Sequence, residues 1–525
     1  MLGAQIFRDF QVDQVCDALP TQTLWGKEAF RKGMASPSSD IKTIKQKQLP
    51  LLALGSEPSV RDAVRKELGT LNSMSSSFQS NISNSDPMAQ ESFKQVFWAK
   101  DSFGASFNTH SSVLNGLVFW KSIILPGFAI LTPMLGLILP FFVMKFIRAD
   151  ISVSEYLEHV KVALMKQISI PSFLKSKGDG DTFGYILESL FVGLTLVMFI
   201  SGLWNQVNAA LHLRSIWSEI ERRGTEFQTL VRSAQSILSM FHNLPLKKQR
   251  AMRVLLKEGD AALLKTRALL SMKPAAAFGA LWNEETYLDD LVAWIGSVDV
   301  LTSIVAQDFI CLPTATATAT ATATLDISGV YHPMLPECIK NDYSSSGHVI
   351  LTGPNRGGKS TYCRSIGLAV LTAQSWGFAW ADAMKFTPFG AFLSALEPNS
   401  QLGEMSTFEA EIEFAKQVLA LPSEAPAFVM MDEIFHSTNA MDGLAASKVF
   451  LEQLYEKQGC ISLISTHYKD LASHFSKQAT ALQMIADGDI RLKYTYKVGA
   501  GISEKSSVME ILEERGLLHS CNAAK

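Results

Sequence analysis

The sequence has few charges and no excess of basic residues. Charged residues make up 18% of the 525 positions, whereas hydrophobic residues make up 47%. Lys and Arg number 47 against 50 Asp and Glu, which gives a formal net charge of −3. This balance argues against a chain that wraps nucleic acid through its overall charge. The low charge content indicates instead that much apolar surface must be covered.

Paired cysteines are also lacking. The six cysteines are scattered along the chain and none forms a C-x-x-C motif. This distribution is typical of reduced thiols in a cytosol-like compartment, and it argues against a cysteine metal site. Residues 1–20 mix four charged side chains among apolar ones, so a secretory signal peptide is not expected there.

Charge is absent altogether from two long runs. Residues 122–144 and 189–211 contain no Asp, Glu, Lys or Arg. Each run is long enough to cross about 30 Å of hydrocarbon as a helix, so we predict a two-helix transmembrane hairpin. A pair of buried core helices is the alternative. Prolines at 126, 133 and 140 also leave a re-entrant hairpin open for the first run.

Most of the rest of the first 312 residues has helical composition, apart from a predicted loop rich in Ser and Asn over residues 72–86. Residues 6–19 predict one amphipathic helix, and residues 205–307 predict long helices interrupted near Pro245 and Pro274. Residues 314–324 alternate strictly between Thr and Ala, which predicts a linker or an expanded loop. The predicted domains are a first helical half over 1–112, the hairpin with its loop over 113–213, a second helical half over 214–312, the linker over 313–325 and a nucleotide-binding domain over 326–525.

Residues 353–361, GPNRGGKST, match the phosphate-binding loop pattern G-x-x-x-x-G-K-[ST]. An apolar run precedes them and a helical run follows, which is the strand–loop–helix context that the motif needs. Backbone N–H groups and the helix N-terminus then bind phosphate, Lys359 contacts the β- and γ-phosphates of ATP, and Ser360 binds Mg²⁺. The predicted nucleotide-binding residues of the loop are Gly353, Pro354, Asn355, Gly357, Gly358, Lys359, Ser360 and Thr361.

A second motif lies 73 residues after Lys359. An apolar run over 428–431 ends in Asp432 and Glu433. We expect Asp432 to bind Mg²⁺, directly or through water, and Glu433 to act as general base on the attacking water. His467 follows the next apolar run, where it can sense or polarise the γ-phosphate.

Residues 326–517 resemble the ATPase domain of the MutS mismatch-repair family. The segments that carry the resemblance are GPNRGGKSTYCRSIGLAVLTAQ, Ser406-Thr407-Phe408 with Glu411, Met431-Asp432-Glu433-Ile434, Asp442-Gly443-Leu444, Ser465-Thr466-His467-Tyr468 and Tyr331-His332-Pro333. The resemblance implies ABC-type ATPase dimers, either homodimers or MutS-like heterodimers. It also implies that His332 contacts the nucleotide, that Ser406 reaches the γ-phosphate of the partner's ATP, and that Asn439 and Asp442 face the partner.

The sequence departs from that family in several places. The mismatch-reading domain and the carboxyl-terminal dimerisation extension have no expected counterpart, and the two apolar runs stand where the family inserts its DNA clamp. Residues 435–438 replace a glycine-rich segment. The Thr-Ala repeat stands where the family has an aromatic residue near the adenine.

The predicted fold class is therefore an α/β P-loop NTPase domain of the ABC type, MutS-like, joined to an α-helical core and lever domain that a transmembrane hairpin interrupts. We expect a membrane-anchored ATPase whose lipid-embedded hairpin responds to ATP and Mg²⁺ through helical levers. Its ATPase domain would face the cytosol, although six basic residues in the 145–188 loop against four on the flanks favour the opposite orientation. A DNA-binding mismatch-repair or recombination ATPase and an ABC-type transporter are the alternatives.

Overall fold

The computed structural model describes residues 4–75, 91–147, 152–156, 158, 182–308, 310–317, 322–397, 406–422, 426–488 and 491–515. The chain forms two compact units. The first comprises Met1–Ser76, Ser233–Ala262 and Asp290–Lys525, and the second comprises Ser77–Arg232 and Leu263–Asp289. The predicted domain boundaries stay predictions.

Helices account for most of the first 305 residues. The α-helices of the described residues are α1 (Ala4–Asp9), α2 (Val12–Ala18), α3 (Leu24–Met34), α4 (Ile41–Gly55), α5 (Pro58–Thr70), α6 (Ser111–Phe119), α7 (Leu125–Ile147), α8 (Thr182–His242), α9 (Leu246–Ala251), α10 (Arg253–Thr266), α11 (Pro274–Asn283), α12 (Asp289–Val305), α13 (Lys359–Ser375), α14 (Thr407–Leu419), α15 (Ala440–Tyr455), α16 (Lys469–His474) and α17 (Val508–Glu514). Short 3₁₀ helices lie at Phe103–Thr109, Arg267–Ser271 and Glu285–Leu288, and a π-helical turn, Trp120–Ile124, joins α6 to α7.

Two sequence predictions about these helices have different outcomes. The single helix predicted over residues 6–19 is wrong, because Gln11 has a φ of 49° and separates α1 from α2. A left-handed residue does not continue a right-handed helix. The helices predicted over residues 205–307 are confirmed. Their breaks fall where Pro245 caps α9 and where Pro274 opens α11, since proline is tolerated at a helix start.

Ten strands in the described residues form two sheets in the first unit. They are β1 (Thr314–Ala315), β2 (Leu325–Val330), β3 (Asn341–Ser345), β4 (His348–Thr352), β5 (Ala383–Phe386), β6 (Ala391–Ala395), β7 (Ala427–Met431), β8 (Cys460–Ser465), β9 (Ala479–Asp487) and β10 (Lys493–Ala500). The six-stranded sheet has the order β10-β9-β4-β8-β7-β6, and all neighbours are parallel except β10 with β9. All residues of β4, β7 and β8 are buried, as expected for parallel strands covered on both faces.

The second sheet has the order β1-β5-β2-β3 and includes part of the Thr-Ala repeat. Thr314 is in parallel register with Lys385, and Ala315 with Phe386. Ala323 is also buried. These residues of the repeat are thus built into or against a sheet instead of forming a free linker, while residues 318–321 lie outside the described residues.

The apolar runs lie in helices of the second unit. Among the described residues, Ser111–Thr132 is the one helical stretch that is long and apolar enough to cross a membrane, judged by length and composition, and its mean hydropathy is 1.6. The second run, residues 189–211, lies within α8, where several side chains are outside the described set. Most of the 145–188 loop is also outside it. The transmembrane hairpin is therefore not confirmed and stays a prediction.

Candidate nucleotide-binding site

The phosphate-binding loop connects β4 to α13 at the carboxyl edge of the parallel sheet, where ligands of such sheets bind. Gly358 caps α13 with a φ of 94°, a conformation that suits glycine. A Cβ atom on Gly358 would also lie 3.3 Å from Tyr496 Cδ1. The predicted strand–loop–helix context is confirmed, and the first N–H groups of α13 are available for phosphate.

Lys359 is the first residue of α13 and is only 5% exposed. Its Nζ donates to two uncharged acceptors, the carbonyl oxygens of Gly353 at 3.1 Å and Pro354 at 3.3 Å. Burial lowers the pKa of Lys359, and the nearby carboxylates of Glu433 and Asp432 act in the opposite direction. A buried cation whose hydrogen bonds within the described residues go to carbonyl oxygens fits an anionic ligand such as a phosphate chain.

Asp432 and Glu433 directly follow β7, and Ser465 ends the neighbouring strand β8. The Ser465 hydroxyl donates to the carboxylate of Asp432, and the backbone N–H of Glu433 donates to Ser465 Oγ at 3.2 Å. One serine therefore fixes both acidic residues. From the sequence, Ser465 had no role at the site beyond its place in a segment that carries the family resemblance, because nothing in the sequence reports which atoms the next strand brings to Asp432.

The side chains of Glu433 and His467 are paired. His467 Nε2 lies 2.7 Å from Glu433 Oε1. This hydrogen bond is the main cause that holds the pKa of Glu433 below its ordinary value, and Lys359 contributes to the same effect. Glu433 therefore stays a carboxylate at neutral pH, which is the form that can accept a proton from water.

A cavity of about 900 Å³ lies beside the loop. Loop residues 354–361 line it together with Glu433. Away from these, the wall is largely apolar and includes Leu335, Ile339, Met484 and Tyr496. None of these four residues was predicted from the sequence to line the site. The signal was weak, since these residues come from distant segments and carry no motif.

The other predicted site residues lie elsewhere. His332 is buried, its Nδ1 has no hydrogen-bond partner among the described residues, and it is not part of the cavity wall. Ser406 caps α14, where its Oγ accepts from the Glu409 N–H at 3.2 Å. Asn439 caps α15 through Asp442, and both are exposed. Their predicted roles toward nucleotide and partner stay predictions.

The sheet, the loop and the acidic pair define a P-loop ATPase-type domain. Residues 349–521 match the family model described as MutS domain V. This carboxyl-terminal part of the chain is therefore similar to MutS domain V.

Parts of the chain are also similar in sequence to known proteins. The chain is 28% identical over 234 residues to the DNA mismatch repair protein MutS of Thermotoga petrophila, covering 42% of this chain and 29% of that protein. It is 30% identical over 233 residues to the DNA mismatch repair protein MutS of Shouchella clausii, covering 41% of this chain and 26% of that protein. It is 28% identical over 318 residues to the DNA mismatch repair protein MSH3 of Phaeosphaeria nodorum, covering 55% of this chain and 27% of that protein. The match thus spans less than a third of each relative.

Proposed function

We propose that this chain binds ATP with Mg²⁺ and hydrolyses it. The observation that carries the proposal is the buried Lys359 at the start of α13, in a cavity wall shared with Glu433. The loop N–H groups and Lys359 hold the phosphates, while Ser360 and Asp432 supply hard oxygen ligands that suit Mg²⁺. Bound Mg²⁺ would neutralise charge that develops on the phosphates.

Glu433 is the general base in this proposal. His467 keeps it ionised and oriented through the 2.7 Å contact, and the Ser465 hydroxyl fixes its backbone N–H. Glu433 accepts the proton of the attacking water, and Lys359 stabilises the negative charge on the transferred phosphoryl group. His467 is also placed to polarise the γ-phosphate.

The base of the nucleotide packs in this proposal against the apolar wall of the cavity. Tyr496 is 46% exposed and offers a ring face, while Leu335, Ile339 and Met484 supply the adjoining surface. Aromatic and aliphatic side chains of this kind bind flat heterocycles. This wall would take the place of the aromatic residue that the family has upstream of its His-Pro pair.

Hydrolysis is proposed to occur in a dimer formed through the ATPase domains, homodimeric or heterodimeric. The positions of three residues support this arrangement: Ser406, Asn439 and Asp442. Each is exposed at the start of a helix and does not line the cavity of its own chain. Ser406 would exchange its bond to Glu409 for one to the partner's γ-phosphate.

A membrane anchor is the second proposal, and exposed apolar side chains of α7 and α8 favour it. Exposure of large hydrophobic residues on this scale needs a covering partner, which a lipid bilayer supplies. These residues include Leu125, Phe128, Leu131, Leu139, Phe142, Leu190, Leu194, Val197, Met198 and Trp204. α8 would act as a lever, since this single helix continues from the apolar run to His242. A role in DNA mismatch repair is the alternative that the names of the relatives favour.

The direct test of the ATPase proposal is phosphate release by the full-length chain with and without Mg²⁺. We expect release that chelation of Mg²⁺ abolishes. Lys359→Ala should abolish ATP binding, because the phosphates lose their main cation. Equal ATP binding by Lys359→Ala and the wild type would refute the assignment of this cavity.

A further inference from the structure

The turn that follows the catalytic strand is strained. Glu433 has a φ of 55° and Phe435 a φ of 48°, and both belong to the left-handed region that disfavours residues with side chains. Such a backbone persists only where the surroundings hold it in place. The sequence offers no glycine here, since residues 434–438 are Ile-Phe-His-Ser-Thr. Side chains must therefore supply the restraint.

Two aromatic contacts hold Phe435. Its ring is buried, with its centroid 6.0 Å from that of Phe408 on α14 and 6.0 Å from that of Phe450 on α15. Both pairs have edge-to-face geometry, which aromatic rings prefer. These contacts fix one residue of the turn but not the polar residues that follow it.

Glu411, in the second turn of α14, binds the next two residues of the turn. Ser437 Oγ donates to Glu411 Oε2 at 2.6 Å, and His436 Nδ1 lies 3.1 Å from Glu411 Oε1. The Glu411 side chain is 19% exposed. The two oxygens of one carboxylate thus have separate contacts, a hydrogen bond from Ser437 and a close polar contact with His436, which restrict the geometry better than one contact does.

His436 also reaches back to the catalytic residue. Its Nδ1 lies 2.8 Å from the carbonyl oxygen of Glu433 as well as 3.1 Å from Glu411. The Glu433 carbonyl oxygen can only accept, so Nδ1 carries the proton and donates it there, while Glu411 Oε1 lies beside the same nitrogen. One imidazole therefore connects the backbone of Glu433, by a hydrogen bond, with the carboxylate on α14, by a close polar contact.

We propose that Glu411 is a positioning residue for ATP hydrolysis: through His436 and Ser437 it holds the strained turn so that Glu433 faces the phosphates. This inference rests on the proposed ATPase function. Ser406, which caps the same α14, lies five residues earlier in the chain. A movement of Ser406 toward a partner's nucleotide is thereby transmitted to Glu433 of its own chain, so the clamp of Glu411, His436 and Ser437 links two nucleotide sites.

The test compares kcat and KM for ATP in the full-length chain and four variants. Glu411→Ala and His436→Ala should each lower kcat about tenfold with KM changed less than about twofold, because the clamp orients the base without lining the cavity. His436→Asn should restore kcat to within about twofold of the wild type, since its amide N–H can replace Nδ1–H. Glu413→Ala is the matched control: Glu413 lies on the same helix, is 50% exposed and pairs with Lys416.

Amide hydrogen exchange over residues 432–438 gives a second readout that does not depend on turnover. Exchange should be faster in Glu411→Ala and unchanged in Glu413→Ala. Unaltered exchange in Glu411→Ala would overturn the positioning role. A wild-type kcat in both Glu411→Ala and His436→Ala would overturn it as well. A kcat loss matched by an equal loss of ATP binding would overturn it too, since that indicates unfolding. If the wild-type chain hydrolyses no ATP, the proposed ATPase function fails first and the positioning role falls with it.

Discussion

The P-loop domain and the apolar helices α7 and α8 differ in what surrounds their hydrophobic side chains. In the P-loop domain, every residue of β4, β7 and β8 is buried by other parts of the same chain. On α7 and α8, residues such as Phe142 and Met198 are 61% and 68% exposed. The first region provides its own apolar environment, whereas these side chains of the second are left exposed by the rest of the chain.

This difference separates two kinds of inference from sequence. The P-loop motif specifies a local geometry whose partner atoms belong to the chain, so the structure alone can test it. A long apolar run specifies only a length and an affinity for apolar surroundings. What provides those surroundings must be tested with lipid or another partner present.

The largest expected effect tests the contrast between the two regions: charges added to α7 should abolish membrane association. Phe128→Arg with Leu131→Arg places two charges on the exposed face of α7, each costing roughly 3 kcal/mol inside a bilayer. We expect the variant to leave the membrane fraction in vesicle flotation while it retains ATP binding. The control is Val254→Arg on α10, since the Val254 side chain is 62% exposed in the wild type. This variant should still float with the vesicles.

Extraction of the wild-type chain by alkaline carbonate without detergent would show that α7 and α8 are not embedded in lipid. Retention of the wild type on a DNA column, with no flotation, would favour the DNA-repair alternative instead. ATPase activity that responds to a transported substrate in proteoliposomes would favour the transporter alternative.

An intermediate effect is expected from mixing two inactive chains. If Ser406 acts on the partner's ATP, a heterodimer of Lys359→Ala and Ser406→Ala chains has one composite site with both lesions and one with neither. Phosphate release should therefore return in the mixture, although neither variant hydrolyses ATP by itself. Mixed dimers that form, as native mass spectrometry can show, yet stay inactive would contradict action across the interface.

The smallest effect concerns pH. The hydrogen bond from His467 lowers the pKa of Glu433, so the carboxylate stays ionised until the pH falls through that lowered value. His467→Ala removes the main cause, and the acid limb of kcat should move to higher pH, toward the ordinary glutamate pKa of about 4.3. The same limb position in the variant and the wild type, each normalised to its own plateau, would contradict this pairing.

Much of the site followed from motifs. Two motifs placed Lys359, Asp432 and Glu433 from the sequence. The phosphate-binding loop requires a strand before it and a helix after it, and the acidic pair follows an apolar strand. Contacts between distant segments could not be predicted in this way. Ser465 meets Asp432 only because β7 and β8 are neighbours in the sheet, and Tyr496 reaches the loop from β10.

The fold shows the same limit. Residues 205–307 were predicted as helices from composition and proline positions, and those helices are present. Gln11 could not be foreseen as a break, because its positive φ has no signal in a polar residue flanked by helix formers. The pairing of Thr314–Ala315 with β5 also depends on a partner strand 71 residues further along the chain, which a low-complexity repeat does not reveal.

The most direct measurement of the central claim is the fate of bound ATP in Glu433→Gln. The substitution keeps the shape of the side chain and leaves Asp432 and Ser360 for Mg²⁺, so binding should match that of the wild type. It removes the general base, so turnover should fall by about 10²–10⁴-fold. We expect radiolabelled nucleotide recovered from the variant to be ATP and that from the wild type to be ADP. Hydrolysis by Glu433→Gln at the wild-type rate would contradict the account.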